Sequence, residues 1–266
     1  MLTSGRGLKL PVLLAAATLA LAVAVACNGG GENEPTPPGA SPVPTIEARP
    51  TLTPGAYQPS PGTANLFGNP GLEEGAKYWF SLDEQQKVET GSVAHSGQAA
   101  AHLQMRDPPD ASGTHVYYLV QEVDPAQFPE LISGYYRVDN WKRGAEKQYL
   151  QFAVIVFAPT NLGGQYPNYQ MRYPLAGISE EPFDIANAFF KFLGRDDPRQ
   201  GEWVYFEANI KNDFQQYWTA VPEGYSKIRV LFEVRYDDKA PGTAAEADVY
   251  YDDLYMGPAG ANPNTP

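Results

Sequence analysis

Two stretches in the C-terminal third of the chain alternate apolar and polar residues with a period of two. In EWVYFEANI (202–210), Val204, Phe206, Ala208 and Ile210 fall on one side, and Trp203, Tyr205, Glu207 and Asn209 on the other. In KIRVLFEVRYD (227–237), Ile228, Val230, Phe232, Val234 and Tyr236 share a face. Arg229, Leu231, Glu233 and Arg235 share the opposite one. Side chains alternate across a strand, so this pattern predicts strands with one buried face, as in antiparallel sheets. Residues 116–123, 131–139, 149–158 and 247–257 read the same way. The one helix predicted is short, 181–194, closed by Gly194. Many strands and one helix predict an all-β fold, a two-sheet antiparallel β-sandwich with a short helix inside a long insertion, 159–199.

The pattern also divides the chain. Arg6 and Lys9 precede an unbroken apolar run, Leu10 to Val25, and small residues lead into Cys27. This is the layout of an export signal, and the run is shorter than the ~20 residues that span a bilayer. With AVAC at its end it resembles a bacterial lipoprotein signal, which implies a signal peptide of 1–26 and lipidation at Cys27. Residues 27–63 are rich in Pro, Gly, Ser and Thr and show no apolar period. Such a segment buries too little surface to offset its chain entropy and reads as an extended stalk. The folded domain is expected over 64–257, and 258–266 as a disordered tail.

Charge and cysteine count narrow the function. The 266 residues hold 31 Asp and Glu against 19 Lys and Arg, a net charge of −12. A chain this acidic is repelled by phosphate polymers, so nucleic acid is excluded as a partner, and membrane contact is left to the lipid anchor. One cysteine excludes a disulfide framework and a cysteine-rich zinc site.

Three motifs then line up in order. NPGLEEGAKYWF (69–80) opens the domain, VAHSGQAAAHLQM (93–105) follows, and VYYDDLYMG (249–257) closes it. With LISGYYRVD and GEWVYFEANI between them, they resemble carbohydrate-binding modules of the family 4, 9 and 22 type, within the galactose-binding-like jelly rolls. Leu72 stands where those modules usually carry Phe. The resemblance implies a glycan or polysaccharide ligand. It also implies a structural calcium joining the first and last strands, through the carbonyl of Gly71, the side chains of Glu73 and Asp252, and carbonyls near His95 and Gln98. Calcium takes six to eight oxygens, and carboxylates with backbone carbonyls supply them. Glu74 and Asp253 are the second choices. The alternative is that Glu73 caps a turn and Asp252 ends a strand in water.

Sugars are held by aromatic rings against their C–H faces and by polar groups on their hydroxyls. The non-core strand faces offer Tyr135, Arg137, Trp203, Tyr205, Glu207, Arg229, Glu233 and Arg235. Trp141 lies in an expected loop, and Tyr169 in the insertion beside Arg172. If neighbouring strands align these side chains they form one binding face; otherwise they are charges pairing across strands.

Nothing in the sequence spells out catalysis. His95, His102 and His115 have no metal-ligand spacing, and neither a Gly-x-Ser-x-Gly elbow nor a phosphate loop is present. The expectation is a non-catalytic, surface-anchored carbohydrate-binding lipoprotein, facing outward. The alternatives are an envelope module that binds a protein partner and, third, a lyase or hydrolase.

Overall fold

A computed structural model describes residues 57–157, 162 and 166–264. The signal, Cys27 and most of the stalk lie outside these residues, as does Asn161 of the insertion.

Ten strands form two five-stranded sheets. The strands are β1 (Glu89–Gly91), β2 (Ala100–Asp107), β3 (Gly113–Val123), β4 (Leu131–Lys142), β5 (Lys147–Phe157), β6 (Asn168–Ala176), β7 (Ala188–Phe190), β8 (Trp203–Ala208), β9 (Ile228–Lys239) and β10 (Ala245–Gly257). One sheet runs β1-β2-β10-β4-β8 and the other β3-β9-β5-β6-β7. We call them the front and back sheets. The chain crosses between them repeatedly, so both are closed only when β9 and β10 are in place. All the pairings are antiparallel except β6 with β7. The two-sheet sandwich expected from the alternation is therefore the fold.

The core lies between the sheets. Val204, Phe206 and Ala208 of β8 and Ile228, Val230, Phe232, Val234 and Tyr236 of β9 all point into it, as their spacing required. Phe232 sits at its centre, with Phe67, Trp79, Phe152, Phe206 and Tyr251 all within ring-contact distance. Leu72 is fully buried in the same core, in the position the resemblance gave to Phe.

Three expectations are corrected. Residues 181–194 form no helix. Phe189 and Phe190 alternate outward and inward on β7, which pairs with the edge of β6. Without it β6 would be an open edge carrying buried side chains, and aromatic residues suit a strand. The helix is instead α1 (Ile210–Tyr217), where Asn209 caps the start by accepting from Asn212 N, and Ile210 and Phe214 turn one face inward. Ile210 therefore ends the strand pattern by starting a helix. Lastly, the ordered chain exceeds 64–257. Tyr57 bridges to Val123, and Asn262 and Asn264 are buried against the front sheet instead of belonging to a free tail.

Candidate functional site

The residues singled out by sequence divide between two surfaces. On the outer side of the front sheet, register places Tyr135 of β4 beside Asp252 of β10 and Tyr205 of β8, and Arg137 beside Tyr250 and Trp203. Five candidates, Tyr135, Arg137, Trp203, Tyr205 and Glu207, thus share one face. Their groups are largely taken by protein neighbours. The His95 ring lies flat on Tyr135, 3.7 Å between centroids, and edge-on to Trp203. Arg137 pairs with Asp139. Tyr205 donates to Glu207 at 2.6 Å, and Asn262 donates to both of them. Burial and the bond to Glu207 push the Tyr205 hydroxyl up to about 12. Tyr205 and Glu207 also border a cleft of 350 Å³ against Arg195, Asp196 and Arg199.

Arg229 and Arg235 lie elsewhere, on the outer face of the back sheet, so the single surface envisaged from alternation does not exist. Tyr169 belongs to neither face. It is fully buried in the core, its hydroxyl donating to the Leu162 carbonyl, because the segment read as a loop is strand β6. Trp141 ends β4, half-buried with Arg143 over its ring, and its indole N–H has no partner.

The back face is built differently. Register sets Tyr118, Glu233, Gln151 and Pro174 in one row across β3, β9, β5 and β6. Arg235 and Tyr149 sit in the row on one side, and Arg172 lies across Ala153 and Leu231 on the other. Glu233 is 1% exposed. It accepts from Gln151 at 2.6 Å and from Arg235 at 3.3 Å. Arg235 also donates to Asp237, and Arg172 donates to Gln170. Burial opposes the charge on Arg235, but Glu233 and Asp237 more than offset it and hold the guanidinium protonated. Burial, then Glu233, raises the Tyr118 hydroxyl.

This network is incomplete. Among the described residues, four buried side-chain polar atoms lack a hydrogen-bond partner, and three are here: Gln151 Oε1, Arg172 Nη1 and Arg235 Nε. A buried polar group without a partner costs about 1–3 kcal/mol, more if charged, so a cluster of three calls for a partner, whether an enclosed water or a ligand group reached once the overlying side chains move. Aromatic rings frame the cluster. Phe183 from the segment between β6 and β7 lies 5.2 Å from each of the two guanidinium carbons, and Tyr149 lies under Arg235. Further along, Lys227 and Arg229 sit over Phe157 and both bond Glu122. Sequence reasoning missed Gln151 and Phe183. A glutamine inside the apolar run YLQFAVIVFA was the available signal for the first.

The two ends of the domain meet at Asp252 of β10, the middle strand of the front sheet. Asp252 Oδ2 accepts from the N–H groups of His95 and Ser96, and Glu73 Oε1 from those of Gln98 and Ala99. A Cβ on Gly71 would lie 3.6 Å from Asp252 Oδ1 and 3.8 Å from Glu73 Cγ, so Gly71, Glu73 and Asp252 are neighbours. At Gly97, with φ of +64°, a Cβ would fall 2.1 Å from Glu73 Oε1, which explains glycine in the His-Ser-Gly motif. His95 and Gln98 enter this corner as N–H donors. Burial raises Asp252 to about 6. A carboxylate held against its preference for water, beside a second one, is the donor chemistry calcium uses. Among the described residues no group of three acidic, His or Cys side chains could hold a metal, so the remaining oxygens would come from backbone and water.

The three histidines are each paired with an aspartate and in ring contact with a tyrosine. The sets are His95 with Asp253 and Tyr135, His102 with Asp248 and Tyr250, and His115 with Asp107 and Tyr117.

No family model and no curated protein matches the sequence. Among solved structures, the chain is similar to the carbohydrate-binding module TmCBM61 in complex with β-1,4-galactotriose, at 14% identity and a TM-score of 0.41, covering 73% of this chain and 98% of that one. It is similar to the C-terminal family 22 module of a Clostridium thermocellum protein, at 11% identity and 0.39, covering 75% and 98%. It is also similar to a β-1,2-glucanase from Parabacteroides distasonis, at 16% and 0.34, covering 68% of this chain and 22% of the glucanase. At these values the two-sheet fold stands on the strand pairing itself.

Proposed function

We propose that this is a non-catalytic glycan-binding domain and that it reads sugar on the outer face of the back sheet. The observation that carries this reading is the set of unsatisfied atoms around Glu233. A sugar presents hydroxyls that both donate and accept, together with apolar C–H faces. Gln151 Oε1 lacks a donor, Arg172 Nη1 and Arg235 Nε lack acceptors, and the half-buried ring of Tyr118 stands in the same row. The front face, where the protein already occupies the polar groups, is the lesser candidate.

Two further parts of the proposal concern attachment and stability. Lipidation at Cys27 anchors the domain facing outward, and 27–63 spaces it from the membrane. A calcium ion held by Glu73 and Asp252, with backbone at Gly71, ties the ends of the domain together. One observation favours the envelope-interaction alternative: Phe183 of the insertion already lies across part of the back face.

The test is a broad glycan array probed with the chain from residue 28 onward, in calcium and in chelator. Binding to one glycan class, weakened by Gln151→Ala and retained by Trp203→Ala, supports the reading. A folded protein that binds no glycan overturns it and moves the search to protein partners.

A further inference from the structure

The polar cluster on the back face specifies more than a sugar. Two of its three unpartnered atoms are guanidinium donors on side chains no more than 11% exposed. Each arginine is only partly used. Arg172 spends Nε and Nη2 on the neutral side chain of Gln170, while Nη1 points toward Glu233 from 3.9 Å, beyond hydrogen-bond reach. Arg235 spends its Nη atoms on Glu233 and Asp237 and keeps Nε free. A buried cationic donor without an acceptor is among the costlier defects a fold carries, and an anionic oxygen is the partner that best relieves it. Hydroxyls would satisfy such donors weakly; a carboxylate satisfies them with charge-assisted bonds.

Resting on the glycan reading, we propose that the back face binds an acidic glycan, with a sugar carboxylate taken between Arg172 and Arg235 and a neighbouring hydroxyl donating to Gln151 Oε1. The net charge of −12 does not forbid this. At physiological salt, charges more than about 8 Å away are largely screened, and on this face Arg172, Lys227, Arg229 and Arg235 outnumber Glu122, Glu233 and Asp237.

Phe183 has a defined part. Its ring covers both guanidiniums from a segment, 177–187, that has no regular secondary structure. The ring holds the place over the cations until a stronger partner arrives, and must turn aside to admit it. Phe183 is thus a gate whose removal strengthens binding of the acidic ligand.

The test pairs ligands that differ only in charge: an oligogalacturonate and its fully methyl-esterified counterpart, titrated calorimetrically into the chain from residue 28 onward. The acid is expected to bind at least about tenfold tighter, as one charge-assisted bond replacing a neutral one implies, and its affinity alone falls with added salt. Arg172→Gln removes the preference, and Phe183→Ala strengthens acid binding several-fold; melting curves confirm that both variants are folded. Equal binding of acid and ester, a preference for the ester, or binding of neutral glycans alone overturns the acidic-ligand inference and leaves the glycan reading standing. Absence of binding to any glycan, charged or neutral, removes both.

Discussion

The two outer faces of this sandwich carry similar residues and use them in opposite ways. On the front face Tyr135, Tyr205, Glu207 and Arg137 each meet a protein partner: a histidine ring, an asparagine from the C-terminal segment, a neighbouring aspartate. On the back face the corresponding groups are more deeply buried and less well satisfied, with three polar atoms left open. Aromatic and charged composition is therefore a poor guide to a binding surface. What separates the two faces is the account of donors and acceptors, because burial turns each unmet group into a standing cost.

The contrast is sharpest in stability. Glu233→Ala removes the acceptor of Gln151 and one of the two acceptors of Arg235, with the carboxylate nearest Arg172, and is expected to cost about 3–5 kcal/mol in denaturant melts, as for breaking a buried pair from one side. Glu207→Ala, exposed, should stay within roughly 0.5 kcal/mol. Comparable losses at the two sites would erase the distinction. The corner proposed for calcium comes next. Saturating calcium at a hundredfold excess over its dissociation constant should add about 2.7 kcal/mol, reversed by chelator. Asp252→Asn and Glu73→Gln should abolish that gain, and a calcium response unchanged in both would show that the ion binds elsewhere.

Smaller effects probe each face singly. Tyr118→Ala, in the row with Glu233 and Gln151, should weaken glycan binding about tenfold, the loss of one stacked ring. Tyr135→Ala should leave binding unchanged; the reverse order would exchange the roles of the faces. The least of the four is pH. Burial raises the Glu122 carboxyl, but its bonds to Lys227 and Arg229 outweigh this and hold it below its ordinary value. Its stabilising contribution is therefore present above about pH 4.5 and lost as pH falls through the lowered folded value. Glu122→Gln should flatten that part of the acid-stability curve; an identical acid limb in both proteins would show the pair contributes nothing.

Alternation with period two was enough to find the inward faces of β8 and β9, because a sheet packed on one side writes its burial directly into the sequence. It failed at β6, where both sides are covered and the strand looks irregular between glycines and prolines, and at β7, whose three residues are too few to show a period. Alternation also assigns a residue to a side of its own strand, never to a sheet. Tyr135 and Arg235 read alike in sequence, yet lie on opposite surfaces, since β4 and β9 belong to different sheets. The end-to-end corner was legible only because Gly71, Glu73, His95, Gln98 and Asp252 fell in recognisable motifs. The defect that marks the back face was invisible, since an unmet hydrogen bond is a property of neighbours brought together from three strands, β5, β6 and β9.

The way the chain enters the domain has a mechanical consequence. Tyr57 is tied to β3 by two backbone hydrogen bonds, to the Glu122 carbonyl and from the Asp124 N–H, and Leu66 donates to Met256 of the last strand. Pro59, Pro61 and Pro258 line one cleft, so the chain arrives and departs at the same end of the sandwich. A pull on the chain ahead of Tyr57 loads Glu122 and its strand first. Two backbone hydrogen bonds and the Tyr57–Tyr78 ring contact, 4.7 Å between centroids, are what such a pull meets before it reaches the paired strands.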